Sequence, residues 1–400
     1  MKPVRVSPAI LCLIVLLDTG CSSNTTPTHP TPASCTGAPS DEFAYALTNY
    51  AVSMFTVNSC NGEFSAATPA SISTGYAYPQ DTSEQLVADP LGRFVYVANL
   101  VSNASDLSTI SSYTINPTTG VLTATSPATV HTGWFPQAIT IDPKGRFVYT
   151  ANTDDSTVSM FTINQTTGVL TPTSPATVST VLPNQLISDP SFITVDPTGQ
   201  FLYVTVSLSD GAAVFMYTIN QTTGLLTPTS PATVETGGIP FQVVVSPNGK
   251  FAYVADNLAG NSTTDGVWEY TVNPTTGVLQ PTSSIAIPAG AGPTAVAVDP
   301  TNSYAYVVNR QDNTVSMYTI NPDTGNLTLN ASVTNPSGTI ATGNLPFHAD
   351  FDPSGKFLYV TDEEGPTSIY TVNTDGTLTN TASTGVATGA LSTAFTKAIQ

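Results

Sequence analysis

The chain has 400 residues, of which only 9% are charged, and its formal net charge is -18 with a pI near 4.1. An ordinary globular protein carries about 25% charged residues, so little material is left for amphipathic surface helices. A nucleic acid backbone would be repelled by this net charge, and no basic stripe offsets the repulsion, so the composition excludes nucleic acid as a partner.

The N-terminus has the pattern of an export signal. Lys2 and Arg5 precede an apolar run from Ala9 to Leu17, which is too short to span a bilayer as a helix. Charge followed by a short apolar segment and small residues predicts a signal peptide over residues 1–20. The protein is therefore expected to work outside the cytoplasm.

The residues after this segment predict how the protein is attached to the cell envelope. The pair Gly20-Cys21 resembles a bacterial lipobox, which implies that Cys21 is lipidated and anchors the chain to the membrane of the cell envelope. Residues 21–40 are rich in Ser, Thr and Pro and are predicted to form a flexible tether. Plain secretion or a periplasmic location is the alternative.

The cysteines support an oxidising compartment. Cys12 lies within the signal and Cys21 is assigned to the lipid, which leaves Cys35 and Cys60. Two remaining cysteines in an exported protein predict one disulfide, here between the tether and the first hairpin turn. The alternative is two free thiols, and no cysteine spacing indicates a zinc site.

From residue 41 onward one cassette recurs seven times, roughly every 50 residues. Each copy has an aromatic-centred strand whose first residue is, in order, Phe43, Phe94, Phe147, Phe201, Phe251, Tyr304 or Phe357. Several strands in a repeat of this length indicate that one repeat is one blade of a β-propeller.

The copy from Ala138 to Gly168 shows the parts of the cassette. A short inner strand ends at Asp142-Pro143, because proline cannot donate to a ladder and favours a turn. The aromatic second strand follows, and a third strand then ends in a turn that begins at Asn164 and closes at Gly168. A short polar strand beginning at Val169 completes a four-stranded antiparallel blade at its outer edge.

The two ends of the repeat region complement each other. The first cassette, from Asp41, lacks an inner strand, whereas the terminal segment Gly389 to Gln400 resembles an inner strand without the turn that should follow. Residues 41–400 are therefore predicted to form one all-β, seven-bladed propeller. Pairing of the C-terminal strand with the N-terminal blade would close the ring and remove its exposed edge.

The second-strand motif resembles a known family. The segments Phe94 to Asn99, Phe251 to Asp256 and Phe357 to Asp362 are similar to the repeats of YVTN-repeat and lactonase-like (phosphogluconolactonase-like) seven-bladed propellers. The resemblance covers residues 41–400. It implies the propeller fold. The family it implies includes lactone hydrolases as well as cell-surface propellers without assigned chemistry, so the fold alone does not determine the activity.

The resemblance also implies candidate catalytic residues. The lactonase-like enzymes have a Pro-Arg-His sequence on one inner strand and an Asn-Glu after the next strand; His348 and Glu363 stand at the His and Glu positions, whereas Phe347 replaces the Arg. On this hypothesis His348 is a general base oriented by Glu363, and Arg310 polarises the lactone carbonyl. Few cations remain for a phosphate, so an unphosphorylated lactone is the expected substrate.

The alternative is that these residues are structural or bind a ligand. His348 is aligned with inner-strand residues of the other blades, namely Gln85, Ala138, Phe192, Gln242, Ala295 and Ala394. Gln85 and Gln242 are candidate ligand-binding residues in this ring. His131 and Trp134 precede another inner strand and could contact a sugar ring, with packing over the loop as the alternative.

No metal ligands or cofactors are predicted. Acidic residues gather in the loops of the candidate face, and Asp154-Asp155 or Asp362 to Glu364 could contribute oxygens to calcium, but solvated acidity is the favoured interpretation. The expected protein is monomeric. Two hypotheses follow: a lipid-anchored propeller that binds a protein, glycan or small ligand, and a lactone hydrolase.

Overall fold

The computed structural model describes residues 42–48, 51–74, 85–100, 108–182, 188–209, 211–257, 265–331, 335–381 and 392–397. Regular structure in these ranges consists of β-strands, and no helix among them is long and apolar enough to cross a membrane. The predicted signal peptide and tether, with Cys21 and Cys35, lie outside the described residues.

The strands form seven separate antiparallel sheets, which are the seven blades of a propeller. The predicted all-β fold is confirmed. In each blade we call the strands inner, second, third and outer, counting from the centre of the ring.

Blades 1 to 4 have long outer strands of ten residues. Blade 1 contains β1 (Glu42–Thr48), β2 (Ala51–Val57) and β3 (Phe64–Ser73). Blade 2 contains β4 (Gln85–Ala88), β5 (Phe94–Asn99), β6 (Thr109–Ile115) and β7 (Leu122–His131). Blade 3 contains β8 (Pro136–Ile141), β9 (Phe147–Asn152), β10 (Thr157–Ile163) and β11 (Leu170–Ser179). Blade 4 contains β12 (Ser188–Val195), β13 (Phe201–Leu208), β14 (Gly211–Ile219) and β15 (Leu226–Glu235).

Blades 5 to 7 have short outer strands, and in blades 5 and 6 the outer position is shared by two short strands, which the repeat pattern did not predict. Blade 5 contains β16 (Ile239–Val245), β17 (Phe251–Asn257), β18 (Gly266–Val272), β19 (Leu279–Pro281) and β20 (Ile287–Pro288). Blade 6 contains β21 (Pro293–Val298), β22 (Tyr304–Asn309), β23 (Thr314–Ile320), β24 (Leu327–Leu329) and β25 (Thr339–Ala341). Blade 7 contains β26 (Asn344–Phe351), β27 (Phe357–Glu364), β28 (Ser368–Val372) and β29 (Leu378–Asn380).

The last strand, β30 (Ser392–Lys397), closes the ring. It pairs antiparallel with β1, so that Ala394 lies opposite Tyr45 and Ser392 lies opposite Leu47. Blade 1 is therefore built from strands near both ends of the described chain, as the sequence predicted. The structure also records Cys60 as disulfide-bonded; because Cys35 is outside the described residues, the Cys35–Cys60 pairing stays a prediction.

One buried tyrosine in each second strand joins its blade to the next. The hydroxyl of Tyr149, for example, donates to the carbonyl of Gly224 in the hairpin of blade 4 at 2.9 Å. The equivalent bonds, at 2.7–2.9 Å, join Tyr45 to Gly120, Tyr96 to Gly168, Tyr203 to Gly277, Tyr253 to Gly325, Tyr306 to Gly376 and Tyr359 to Gly62. We call these bonds the tyrosine latches; the last of them joins blade 7 to blade 1.

The hairpin glycines are required at these latches. Gly224 has a φ of +74°, and a Cβ atom there would lie 2.5 Å from Cδ1 of Phe147. Any other residue would combine backbone strain with a steric clash. The Asn-to-Gly turn of the cassette therefore positions one blade against the aromatic residue of the preceding blade.

The cations before the second strands also have structural roles. The guanidinium of Arg146 pairs with the buried Asp142 at 2.7 Å and lies over the ring of Phe147 at 4.8 Å. Arg93 makes the equivalent contacts in blade 2, and Lys356 lies over Phe357 in blade 7. These charges are at the Asp-Pro turns, on the side of the ring away from the site described next.

Candidate functional site

The candidate site lies on the side where the inner strands begin and the second strands end, which we call the loop face. Antiparallel pairing puts these two ends together, as in blade 7, where Asn344 pairs with Glu364 and Pro346 with Asp362. In five blades the register shifts directly after the inner-strand proline, so the residue that follows this proline bulges out of the ladder.

Arg310 and Glu363 are brought together on this face. Arg310 directly follows β22 in blade 6, and Glu363 lies near the end of β27 in blade 7. Nη2 of Arg310 is 2.6 Å from Oε2 of Glu363, and Nε is 3.1 Å from Oε1. Each side chain is 25% exposed. The cation and the carboxylate of the predicted catalytic set are therefore bound to each other in a bidentate ion pair.

His348 is not hydrogen-bonded to Glu363. It lies within β26, opposite Thr361, and its side chain is 1% exposed. Nε2 is 2.9 Å from Nε2 of Gln242 in blade 5, and Nδ1 has no partner. Of the three predicted catalytic residues, the structure therefore pairs Arg310 with Glu363 and leaves His348 in a separate, buried position.

The bond to Gln242 fixes the tautomer of His348. Oε1 of Gln242 accepts a hydrogen bond from the backbone N–H of Val296 at 2.6 Å, so the amide nitrogen of Gln242 is the atom that faces the imidazole. This nitrogen can only donate, so Nε2 of His348 accepts and the ring proton is on Nδ1. Burial lowers the pKa of His348 to about 3, which keeps the imidazole neutral at physiological pH.

Gln85 occupies the equivalent position in blade 2. Its Oε1 accepts from the backbone N–H of Ile139 in blade 3 at 3.1 Å, which matches the bond from Val296 to Gln242, and its Nε2 has no partner. Both glutamines are buried, so they act as bridges between inner strands that would otherwise leave edge N–H groups unpaired. No exposed surface of either is available on the loop face.

The alignment of the inner ring needs one correction. Ala394, which the sequence aligned with His348, lies directly opposite the strand tyrosine Tyr45, whereas His348 lies two residues before the residue opposite Tyr359. The residue level with His348 in blade 1 is Ser392. The terminal segment has no Asp-Pro turn to set its register, so the sequence placed it two residues out.

Asp350 was missed by the sequence analysis. It lies opposite Tyr359, is 3% exposed, and its Oδ2 has no hydrogen-bond partner. Burial raises its pKa well above the ordinary value for an aspartate. With Phe192, Thr194 and Gln242 it lines a small central cavity with room for about one water molecule.

The sequence contained a signal for Asp350. The residues opposite the strand tyrosine in the other blades are uncharged, namely Val87, Thr140, Thr194, Val244, Ala297 and Ala394. A single carboxyl at this position departs from the repeat, just as His348 does at its own position. It could have been found once the register of the inner strands was fixed.

Asp362 also departs from the repeat. The same position holds asparagine in blades 2, 3 and 6, and in blade 3 the amide of Asn152 donates to the hydroxyls of Thr157 and Ser159. In blade 7, Oδ2 of Asp362 accepts from Ser368 Oγ at 2.8 Å and Oδ1 has no partner. Burial raises the pKa of Asp362 to about 7.

His131 and Trp134 lie on the segment that leads from blade 2 into blade 3. His131 is the last residue of the outer strand β7, where it pairs with Thr109, and its side chain is exposed. The indole of Trp134 is 40% exposed, and its backbone N–H donates to Oδ2 of Asp155 at 2.7 Å. The next residue, Phe135, has a φ of +56°, so the turn that presents Trp134 is tightly constrained.

The loop carboxylates have structural partners. Oδ2 of Asp312 accepts from the backbone N–H of Ala291 at 2.6 Å, which is the blade 6 counterpart of the contact between Asp155 and Trp134. Among the described residues, no three His, Cys, Asp or Glu side chains lie close enough to hold a metal ion. Calcium binding stays an untested alternative.

Solved structures with the same fold come from several bacteria. A putative 6-phosphogluconolactonase from Bacteroides uniformis is 23% identical, with a TM-score of 0.70, and the match covers 89% of this chain and 99% of that one. One from Bacteroides fragilis is 20% identical, with a TM-score of 0.68 and coverages of 88% and 97%. The periplasmic gluconolactonase PpgL of Pseudomonas aeruginosa is 20% identical, with a TM-score of 0.68 and coverages of 89% and 99%.

At these identities the structural matches establish the fold alone. No curated protein sequence matches the chain significantly. A family model described as "Lactonase, 7-bladed beta-propeller" matches residues 35–182, 173–264 and 258–389. These segments run from the tether end to residue 389 and include strands of all seven blades, so the chain belongs to the seven-bladed β-propeller lactonase family.

Proposed function

We propose that this protein is a lipid-anchored propeller of the cell envelope that binds a small neutral ligand, such as a sugar or sugar lactone, on its loop face. The observation that carries the proposal is the pairing of Arg310 with Glu363 through both guanidinium contacts. The one cation that the sequence offered for an anionic substrate is already neutralised, and His348 is buried away from the pair. A ligand without charge fits this arrangement.

The loop face offers apolar surface for such a ligand. Trp134 and Ile239 are 40% and 42% exposed, although large apolar side chains are usually buried. Each stands just before an inner-strand proline, Pro136 or Pro240, and so lies at the loop-face end of an inner strand. An aromatic ring held by a constrained turn can pack against the face of a sugar ring, whose hydroxyls then meet the polar groups around it.

The location rests on the sequence alone. The signal over residues 1–20 and the lipobox-like Gly20-Cys21 support an anchor on the extracytoplasmic side of a membrane, with residues 21–40 as the tether. One structural relative is described as a periplasmic gluconolactonase, which agrees with an extracytoplasmic role. We propose a monomer, with a protein or glycan surface as an alternative ligand.

Lactone hydrolysis is the second candidate function. Family membership and the gluconolactonase descriptions of structural relatives favour it. It would require a base that is accessible, whereas the imidazole of His348 is buried and its pKa is lowered to about 3. It would also require Arg310 to leave Glu363 when substrate binds. An unphosphorylated lactone is the better substrate because the other basic side chains among the described residues lie at the turns on the opposite side of the ring.

A binding experiment with matched variants tests the proposal. Isothermal titration of the signal-free protein with D-glucose and D-glucono-1,5-lactone should show saturable binding, and Trp134→Ala should weaken it at least tenfold. Ile285→Ala is the control, since Ile285 is 70% exposed at the outer edge of blade 5. Equal affinities for both variants, or no binding of any neutral sugar in a wider panel, would contradict the proposal.

Turnover measurements separate the two functions. Hydrolysis of glucono-1,5-lactone and of its 6-phosphate should stay at the uncatalysed rate, with the intact protein and with His348→Ala alike. Turnover that disappears in His348→Ala and in Glu363→Gln would establish the hydrolase instead. Turnover that persists in both variants would place catalysis on other residues.

A further inference from the structure

The N-terminal segment joins the propeller on one side of the ring. We call this side the turn face; it is opposite the loop face, and on it the inner strands end and the second strands begin. In blade 1, β1 has the second-strand position, and its first residue, Glu42, pairs with Lys397 at the end of the inner strand β30. Because second strands begin on the turn face, the chain that precedes residue 42 enters the propeller there.

A disulfide attaches the same segment to the same face. Cys60 lies in the hairpin turn between β2 and β3, and the ammonium of Lys356 donates to its carbonyl at 3.0 Å. Lys356 stands at the turn between the inner and second strands of blade 7, so Cys60 is on the turn face. Cys60 is disulfide-bonded. Every other cysteine of the chain precedes β1, namely Cys12, Cys21 and Cys35.

The length of the tether limits how the propeller can turn on its anchor. This step rests on the lipid anchor proposed at Cys21, which leaves Cys35 as the partner of Cys60, because Cys12 belongs to the signal peptide that export removes. The chain from Cys21 to Cys35 has fourteen residue steps. A flexible chain of this length spans about 20 Å, at about 5–6 Å times the square root of the residue number. The anchor therefore stays near the turn face.

The loop face is farther away than this average span. In blade 4, β14 runs from Gly211 on the loop face to Ile219, and the hairpin after it contacts the turn face through the side chain of Gln221, which donates to the carbonyl of Gly199 at 2.7 Å. Eight residue steps at about 3.3 Å separate the two ends of this strand by about 26 Å. A tether fastened to the turn face therefore holds that face nearer to the membrane.

The charges of the two faces favour the same orientation. The turn face exposes Asp323 and Asp375, but the aspartates of its Asp-Pro turns are buried. An anionic bilayer surface attracts Lys and Arg and repels carboxylates. Five basic side chains lie on the turn face, namely Arg93, Lys144, Arg146, Lys250 and Lys356. Exposed carboxylates gather on the loop face, at Asp154, Asp155, Glu235, Asp312 and Glu364.

We propose that the turn face is the membrane-facing surface of this protein and lies against a bilayer with anionic headgroups. The N-terminal segment holds it there, and the loop face with Trp134 is about 26 Å farther from the lipid. A ligand then reaches the loop face from the aqueous side. The proposal rests on the lipid anchor and adds an orientation to it, which does not depend on the ligand that the loop face binds.

Two fluorescent labels at opposite ends of one strand test the orientation. Gly211→Cys puts a label on the loop face, at a position where a Cβ atom meets no other atom within 4 Å. Thr222→Cys puts the same label on the turn face, at an exposed position of the hairpin that follows β14. Acylation and the disulfide occupy the cysteines of the mature parent protein, so each variant carries one reactive thiol.

Quenching by the lipid reports which label is near the membrane. The full-length, lipidated variants are reconstituted into vesicles of phosphatidylcholine and phosphatidylglycerol that contain a lipid with a nitroxide on its headgroup. The label at position 222 should be quenched at least threefold more strongly than the label at position 211. Equal quenching of the two labels, or stronger quenching at position 211, would overturn the orientation.

Flotation of the vesicles on a sucrose gradient separates failure of the anchor from failure of the orientation. The parent protein should float with the vesicles, and Cys21→Ser should not. A parent protein that does not float would overturn the lipid anchor and the orientation together. Shielding of the label at position 222 from water without quenching by the nitroxide would show that a second copy of the chain covers the turn face, and would overturn the orientation alone.

Discussion

Asp362 should make the stability of the protein depend on pH, and Asp362→Asn should remove that dependence. Asp362 stands where blade 6 has Asn309, whose Oδ1 accepts from the N–H of Gly290 and whose amide donates to Thr314 and Ser316. An ionised aspartate can accept but not donate, and one of its buried oxygens has no partner. Asparagine at position 362 could accept from Gly343 and donate to Ser368, as Asn309 does with its counterparts.

The direction follows from the raised pKa. The folded protein binds the proton of Asp362 up to about pH 7, whereas the unfolded chain releases it near 3.8. Folding therefore favours the protonated form, and stability falls as the pH rises from about 4 to about 7. At about 1.4 kcal/mol for each pH unit, the loss at pH 8 is on the order of 2–4 kcal/mol.

Urea unfolding at pH values between 4 and 8 provides the assay. The free energy of unfolding of Asp362→Asn minus that of the parent should be near zero at pH 4, rise with pH, and level off above pH 7. The other buried acids and His348 are present in both proteins, so the difference isolates Asp362. As a matched variant, Asn309→Asp should make stability fall further as the pH rises, in the same direction as Asp362 does in the parent protein. A difference that does not vary with pH would refute the reasoning.

The remaining predictions concern the blades and metal binding. Tyr359→Phe removes the latch to Gly62, and Tyr149→Phe removes the latch to Gly224. Each should lower the free energy of unfolding by about 1 kcal/mol and Tm by about 1–2 °C. A much larger drop in Tm for one variant than for the other would show that the latches are not equivalent. Gly224→Ala should cost more, about 2–4 kcal/mol, because of its positive φ and the 2.5 Å approach to Phe147. Removing divalent cations with EDTA should leave Tm unchanged in calorimetry, and a drop of several degrees would establish a structural calcium ion.

The repeat made most of the fold predictable. The aromatic residue, the Asp-Pro turn and the Asn-to-Gly turn each recur at one place in a blade, and each has a local physical cause. The closure by the C-terminal strand followed from complementary ends. The proximity of Arg310 and Glu363 was predictable as well, because both stand at the ends of second strands of adjacent blades and antiparallel pairing brings those ends to one face.

The candidate site was harder to predict because it depends on side-chain direction. The bulge after the inner-strand proline changes which residues face the channel, and no sequence pattern shows that Gln242 reaches from blade 5 to His348 in blade 7. A shift of the strand register moves side chains to the other face of the sheet, and the amino-acid composition of the strand does not reveal the shift. Asp350 was missed although no bulge separates it from His348, which the same repeat identified.

The seam between blades 7 and 1 has more contacts than a latch alone. Lys356 donates to the carbonyls of Ser59 and Cys60, and the ring of Phe64 stacks on Tyr359 with centroids 5.0 Å apart. The inner strand of blade 1 is β30, which follows the strands of all the other blades along the chain. During synthesis blade 1 therefore stays incomplete until blade 7 has been made, and the contacts between blades 7 and 1 hold the ring closed once β30 has paired.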